Sequence, residues 1–395
     1  MKKIVLLLVI LSLLHGSCQK AQIRRTTTIG VPSPWTDSSN RHPKNAALLN
    51  LLEKYKKKGL PGISLLVRDA SGTWVGSAGK ADLTNDIDFI PGTVSKAASI
   101  TKLFIGALVF RLMEDSVNTG MGYASLNRKV KEWLPARITG KLANGDQITL
   151  GQCMKHETGL PDIISEDQFY LAVLNNPNKK WGPEELLEYI YDQPAEFEAG
   201  DTAVYSNTNT VLVTMILEAQ TGKKHAALLH QYVLEPLGLN HTFYQPHDKL
   251  PAFTAQGYYD LYNNGSIVNV SNLVTGSGNG YGGLYSNIYD LYTFIDALLI
   301  RETFLRPESM ARMKTWGKRD DSNYYGYGIQ QSYIQGADFG IGHKGRDLGY
   351  SANLFYFPTR GVTHIFFINY GTDADSGLKD IFFEFVDEMV ALSLQ

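Results

Sequence analysis

Cysteine is nearly absent. Cys18 and Cys153 are the only two in 395 residues, which excludes a disulfide framework and leaves no Cys or Cys/His spacing of a metal site. Cys153 sits in the apolar-periodic stretch ITLGQCMKH and reads as core packing. An excess of either charge is also missing. The formal net charge is −2, so nothing recommends nucleic acid as a partner. There is no internal repeat and no low-complexity tract. The longest apolar run, IVLLLVILSLL after Met1-Lys2-Lys3, is too short for a comfortable membrane span. With 44% hydrophobic and 19% charged residues, the chain has the makings of a large soluble core.

That apolar run behind two lysines reads as an export signal over 1–18. Small residues directly before Cys18 (His15-Gly16-Ser17-Cys18) are similar to a bacterial lipobox, which makes Cys18 a candidate lipidation site. His15 stands where an aliphatic residue is usual, and a conventional cleavage nearby, with Cys18 lost or free, is the alternative. The expected location is therefore the periplasm or cell envelope, with the lipid anchor as the only link to a membrane. Residues 19–43 are polar, rich in Thr, Ser and Pro, and read as a flexible tether. A folded domain is expected over 44–395.

It opens with an amphipathic helix, AALLNLLEKYKKKG, closed by Gly59. Two strands follow, 62–69 and 73–80, joined by a short turn as a hairpin. From Ser99 to about residue 300 helical patterns dominate, over 149–156, 183–192, 208–221, 224–234 and 289–300. Strand patterns return at 325–333, 351–358 and 363–369, and an apolar-faced helix fills 377–394. The pattern predicts an α+β fold, with an antiparallel sheet built from both ends of the chain, flanking helices and an inserted, mainly helical subdomain over 99–300.

The stretch most informative about chemistry is SITKLFIGALVFRLMEDS, beginning at Ser99. Apolar residues at helical spacing follow Lys102, so Ser99 is placed at the start of a buried helix with Lys102 one turn on, on the same face. A serine hydroxyl needs a base to become a nucleophile, and a buried lysine can serve. The pattern alone is weak: a chain this long contains roughly one Ser-x-x-Lys by chance, and Ser17-Cys18-Gln19-Lys20 falls in the export signal. Ser99 on its own reads as well as a helix-cap serine.

Two further stretches carry suitable groups. Tyr205-Ser206-Asn207 precedes a helix. A phenolate stabilised by a lysine can shuttle protons, and an amide can hold a substrate or the lysine, although Tyr-Ser-Asn is also an ordinary helix-entry turn. Gly342-His343-Lys344-Gly345-Arg346 leads into a predicted strand. There a basic side chain can meet a substrate carboxylate, and a glycine permits close backbone approach; the plain alternative is a glycine-rich turn.

Taken in order, Ser-x-x-Lys, Tyr-x-Asn and His-x-Gly resemble the penicillin-recognising serine hydrolases, in their class C β-lactamase and DD-peptidase branch. The resemblance runs from Lys44 to the C-terminus and includes ITLGQCMKHETGLPD, FEAGDTAVYSNTNTVL, PLGLNHTFY and GYGGLYSNIYDLYTF. It implies that Ser99 is the acylated nucleophile and that Lys102 and Tyr205 handle protons as a coupled pair. It further implies substrate binding by Asn207, His343, Lys344, Gly345 and Arg346, with the backbone N–H groups of Ser99 and Arg346 forming the oxyanion hole. His156 reads as structural. Lys344 departs from the family, which often has Thr or Ser there: either it binds a substrate carboxylate by charge or it points away. The implied substrates are D-Ala-D-Ala-type peptides or β-lactams, hence small or peptidoglycan-derived molecules. An ester or a D-amino-acid amide is the alternative, and a non-catalytic penicillin-binding sensor a more distant one. No metal or organic cofactor is implied, and a monomer is expected.

Overall fold

A computed structural model describes residues 24–320, 322–372 and 376–395. The proposed signal segment and Cys18 lie outside the described residues. No described helix is long and apolar enough to cross a membrane.

An eight-stranded antiparallel sheet carries the architecture. Its strands are β1 (Gly62–Asp69), β2 (Gly72–Asp82), β3 (Ile87–Asp88), β4 (Tyr324–Tyr325), β5 (Gln330–Gln335), β6 (Asp338–Asp347), β7 (Tyr350–Phe357) and β8 (Val362–Ile368), in spatial order β3-β2-β1-β8-β7-β6-β5-β4. The two ends of the chain meet where β1 pairs with β8, Ile63 opposite Ile368 and Arg68 opposite Thr363.

Each face of the sheet has its own core, because side chains alternate along the central strands. Phe366 and Ile368 face α1 (Asn45–Lys57) and the terminal helix, while Ile365 and Phe367 face the helical half of the molecule. Helix α1 offers Leu48, Leu51, Leu52 and Tyr55, and the terminal helix (Lys379–Leu394) offers Phe382, Phe385, Val386 and Met389. Both sets recur at i, i+3, i+4 and i+7, the stripe that lets a helix lie on a sheet. Each such side chain contributes about 1.5–3 kcal/mol when fully buried.

On the opposite face lies α2 (Thr101–Glu114), buried at every position except Arg111. A helix apolar on all sides belongs inside a protein, and α2 is wrapped by α3 (Asn207–Thr221) and the shorter helices of the middle segment.

Three expectations need correction. Residues 24–43 do not behave as a free tether. Thr26 is buried and bonded to Asp82 and Gln256, Trp35 packs edge-on against Tyr289, and Ser39 Oγ accepts the Val75 N–H at 2.8 Å. Polar composition concealed a segment that exchanges its hydrogen bonds with the domain rather than with water. The strand expected over 325–333 is broken, because residues 326–329 turn inward against α2. Gly328, at φ +76°, lies so close to Gly106 that a Cβ would come within 2.7 Å of its Cα. Finally, Gly342–Arg346 do not lead into a strand; they lie inside β6.

Candidate active site

The residues around Ser99 are held in an unusual local conformation. Ala98 adopts φ +50°, a left-handed value costly for a residue with a Cβ. Ser99 follows it in a single 3-10 turn (Ala98–Ile100), and α2 begins only at Thr101. The turn is tied on both sides: Ala97 N–H donates to the Leu284 carbonyl at 2.8 Å, and Thr101 Oγ1 donates to the Ala98 carbonyl at 2.6 Å. A strained turn ahead of a buried helix thus presents the hydroxyl, half-buried, at the edge of the sheet.

Lys102 lies one turn along, 2% exposed. Its Nζ donates to Ser99 Oγ at 3.1 Å, to Asn207 Oδ1 at 2.6 Å and to the Tyr281 carbonyl at 2.8 Å, and stands 4.9 Å from the centre of the Tyr205 ring. The first two motifs, 105 positions apart from lysine to asparagine, are therefore one hydrogen-bonded cluster.

Asn207 is the first residue of α3, and Tyr205 lies in the turn before it. His156 supports that turn. It closes the short helix Leu150–Lys155 in a left-handed conformation, stacks on Tyr205 with ring centres 4.5 Å apart, and receives the Ser206 N–H on Nδ1 at 3.3 Å. Burial, reinforced by the charge of Lys102, holds the His156 imidazole down at about 3, so it stays neutral.

The third motif divides by strand alternation. His343, Gly345 and Asp347 face the Ser99 side. His343 is buried, its ring 6.2 Å from that of Tyr205 and its Nδ1–H donating to the Lys344 carbonyl at 2.6 Å. Burial and the nearby Lys102 charge keep it well below the usual histidine range. At neutral pH it brings a polar ring, not a cation. Gly345 lies directly under the Ser99 turn: a Cβ there would stand 2.1 Å from the Ala97 carbonyl oxygen.

Lys344 and Arg346 turn their side chains to the other face, which corrects their expected role as substrate-binding side chains. Lys344 Nζ reaches Asn323 Oδ1 at 3.2 Å and lies over the Tyr333 ring. Burial brings it down to about 8. Arg346 lies 4.5 Å over Phe382 of the terminal helix and donates to the Gly345 and Ala352 carbonyls. The Arg346 backbone is placed differently. Pairing of β6 with β5 stops at Gly342, and Lys344 N–H points across that edge to Gln330 Oε1 at 3.0 Å. Alternation aims the Arg346 N–H across the same unpaired edge, beside the Ser99 turn, where an oxyanion donor belongs.

Two participants escaped sequence reasoning. Asp162, half-buried at the end of Gly159-Leu160-Pro161-Asp162, accepts the backbone N–H of Asn207 at 3.0 Å and its Nδ2–H at 2.9 Å. Burial raises Asp162 to about 6, against the pull of its hydrogen bonds and of Lys102. The signal was the landmark stretch itself, in which only His156 received a role. Tyr281 contributes its main-chain carbonyl to Lys102, an atom no side-chain pattern advertises. Tyr285 packs against Tyr350, away from the cluster.

From Tyr205 an open groove of about 440 Å³ leads outward, lined by Thr202, Val204, Arg319, Asp320 and Asn323 among others. Among the described residues no cluster of His, Cys, Asp or Glu has the makings of a metal site.

Comparison with known proteins agrees with this geometry. The family model described as Beta-lactamase matches residues 48–385. Among curated relatives, the unguisins hydrolase ungD of Aspergillus violaceofuscus is 25% identical over 53% of this chain and 36% of its own length. The D-alanyl-D-alanine-carboxypeptidase/endopeptidase AmpH of Escherichia coli is 24% identical over 65% of this chain and 62% of its own. The chain thus spans about one third to three fifths of the length of these curated relatives. Among solved structures, a D-stereospecific amidohydrolase from Streptomyces superposes with a TM-score of 0.73 at 25% identity, covering 83% of this chain and 95% of that one. The Ser99 turn, buried lysine, Tyr-x-Asn turn and third-motif strand all fall inside the matched region, and the chain belongs to the Beta-lactamase family.

Proposed function

We propose that this chain is a serine hydrolase working through an acyl-enzyme on Ser99. One observation carries the reading: the 3.1 Å contact between Lys102 Nζ and Ser99 Oγ, inside a buried network that also holds Asn207. Ser99 Oγ attacks a carbonyl carbon as its proton passes into the Lys102–Tyr205 pair. The oxyanion meets the N–H groups of Ser99 and Arg346. The same pair returns a proton to the departing group, and water then releases the acyl chain. Convergence of Ser99, Lys102 and Asn207 at bonding distance, with the Tyr205 ring centre 4.9 Å from Lys102 Nζ, speaks against a sensor that has given up catalysis.

The substrate we propose first is a D-Ala-D-Ala-type peptide or a β-lactam, with AmpH as the relative whose name supports it. A second reading, a D-amino-acid amide or an ester, gains from the orientation of β6. With Arg346 turned away, Lys344 engaged by Asn323 behind the groove wall and His343 neutral, the third motif offers a substrate carboxylate no free positive side chain. The carboxylate would have to reach Arg319 on the groove wall. Arg319→Ala separates the two. It should raise KM at least several-fold for a D-alanyl-D-alanine peptide and leave the KM of D-phenylalanine amide unchanged. Equal effects on both would remove Arg319 from the account.

We also propose export and lipid anchoring through Cys18. Cys18→Ser should move the protein from the membrane to the soluble fraction; an unchanged distribution would refute the anchor.

A further inference from the structure

Asp162 has both oxygens committed to the second motif. Oδ1 accepts the backbone N–H of Asn207 at 3.0 Å and that of Ile164 at 3.3 Å; Oδ2 accepts Asn207 Nδ2–H at 2.9 Å. An ionised carboxylate accepts hydrogen bonds and cannot donate, so the Asn207 amide can show Asp162 only its nitrogen. Its oxygen is thereby turned the other way, onto Lys102 Nζ at 2.6 Å. We infer that Asp162 is a positioning residue that fixes which end of the Asn207 amide meets Lys102, and through that the readiness of Lys102 to give up its proton.

The inference rests on the proposed role of Ser99 and deepens it. A carboxamide at 162 would keep one acceptor for the Asn207 main chain but set an NH2 group against Asn207 Nδ2. Two donors cannot face each other in a buried site without cost. The Asn207 amide then reverses and presents NH2 to Lys102. An ammonium facing a donor is disfavoured, so the lysine becomes easier to deprotonate. Asp162 also acts on Lys102 directly by charge, and that charge is lost in the substitution. The other titratable groups around Lys102 are Tyr205 and Tyr281, whose rings lie 4.9 and 5.8 Å from Nζ, and His156 and His343, both neutral. None of these changes in the substitution.

The test is the pH dependence of Ser99 phosphonylation by a fluorophosphonate, in which Oγ displaces fluoride from phosphorus as a stand-in for acylation. It is followed by intact mass in three proteins: wild type, Asp162→Asn, and the exchange Asp162→Asn/Asn207→Asp. The exchange restores a complete set of hydrogen bonds, because the carboxylate it creates at position 207 accepts from both Lys102 and the new amide at position 162. It also places a carboxylate against Lys102. Relative to wild type, the ionisation that switches phosphonylation on should move down by one pH unit or more in Asp162→Asn and upward in the exchange. A merely structural role would lower melting temperatures and move neither profile. In a further pair, Asn207→Ala and Asp162→Asn/Asn207→Ala, there is no amide to turn. A downward shift between these two equal to that between wild type and Asp162→Asn would assign the effect to charge alone and overturn the inference.

Folded variants with the wild-type profile would overturn the inference. So would an exchange protein that fails to fold, since every donor in it has an acceptor. If Asp162→Asn alone fails to fold, an upward shift in the exchange still supports it. A wild-type protein that is never phosphonylated at Ser99 would instead refute the proposed function, so the two failures are distinguishable.

Discussion

Gly345 bears a tight steric condition beside Ser99. Its absent Cβ would overlap the Ala97 carbonyl, two residues before Ser99, and both neighbours are backbone. Gly345→Ala should therefore push the nucleophile turn off β6 and spread the two oxyanion donors. Loss of such a donor costs about 2.7–4 kcal/mol of transition-state stabilisation. We expect kcat to fall at least a hundredfold with KM little changed; a variant of near-native kcat would mean that the turn can slide. At this scale the sequence was legible where chemistry depends on residue type. Ser99, Lys102, Tyr205, Asn207 and Gly345 stood in motifs, and the structure brings them together. It was illegible where direction decides. Lys344 and Arg346 flank the same glycine, yet pleating sends both side chains to the other face. Asp162 acts through a hydrogen-bond geometry that its letter does not encode.

Between elements, one buried ion pair joins the two segments that would supply the proposed oxyanion donors. Lys96, three residues before Ser99, meets Asp347, one residue after Arg346, at 2.6 Å, with both side chains almost shielded from water. Lys96→Met would leave a buried carboxylate unpaired, at a cost of about 3–5 kcal/mol. It should lower both the melting temperature and kcat, whereas the pair Lys96→Met/Asp347→Leu should recover stability better than activity. Recovery of both together would deny the pair any role in alignment.

A second test at this scale lies on β8. His364 is buried among Tyr333, Phe355 and Phe357, and neither ring nitrogen has a hydrogen-bond partner among the described residues. Burial holds its folded-state value down at about 3, against 6.5 when exposed. Below pH 6.5 the unfolded chain therefore binds a proton that the folded chain refuses, and stability falls by up to about 1.4 kcal/mol per pH unit. His364→Leu should raise the melting temperature, with a gain that grows from pH 6.5 toward pH 4. A constant gain would contradict the buried neutral ring. Strands and helices with regular apolar spacing were legible, as in β1, β7, β8, α1 and the terminal helix. The break at 326–329 was not, because it follows from contact with a helix more than 200 residues earlier in the chain.

Over the whole molecule, the sheet joined from both chain ends was foreseeable from strand-rich termini around a helical middle. The packed segment 24–43 was not, since polar residues that bond to the domain look in sequence like residues that bond to water. Arg24, Thr26 and Thr27 reach the stretch 250–254, Val31 N–H donates to the Gly92 carbonyl, and His42 contacts Asp69. A chain beginning at Lys44 loses all of these, at about 1 kcal/mol for each buried hydrogen bond. Its melting temperature should fall by roughly 5 °C or more relative to a chain beginning at Arg24. Equal melting temperatures would restore the tether reading.

The central claim, that Ser99 is acylated with help from Lys102, is tested most directly by intact mass and peptide mapping. The chain from Arg24 onward would be mixed with benzylpenicillin, with D-phenylalanine amide and with an activated ester, beside Ser99→Ala and Lys102→Ala. The account predicts an acyl adduct, lasting or decaying, on the Ser99 peptide of the wild type with at least one of the three. It also predicts none on Ser99→Ala and formation slowed at least a hundredfold in Lys102→Ala. Hydrolysis that survives Ser99→Ala, or an adduct mapped to another residue, would contradict it.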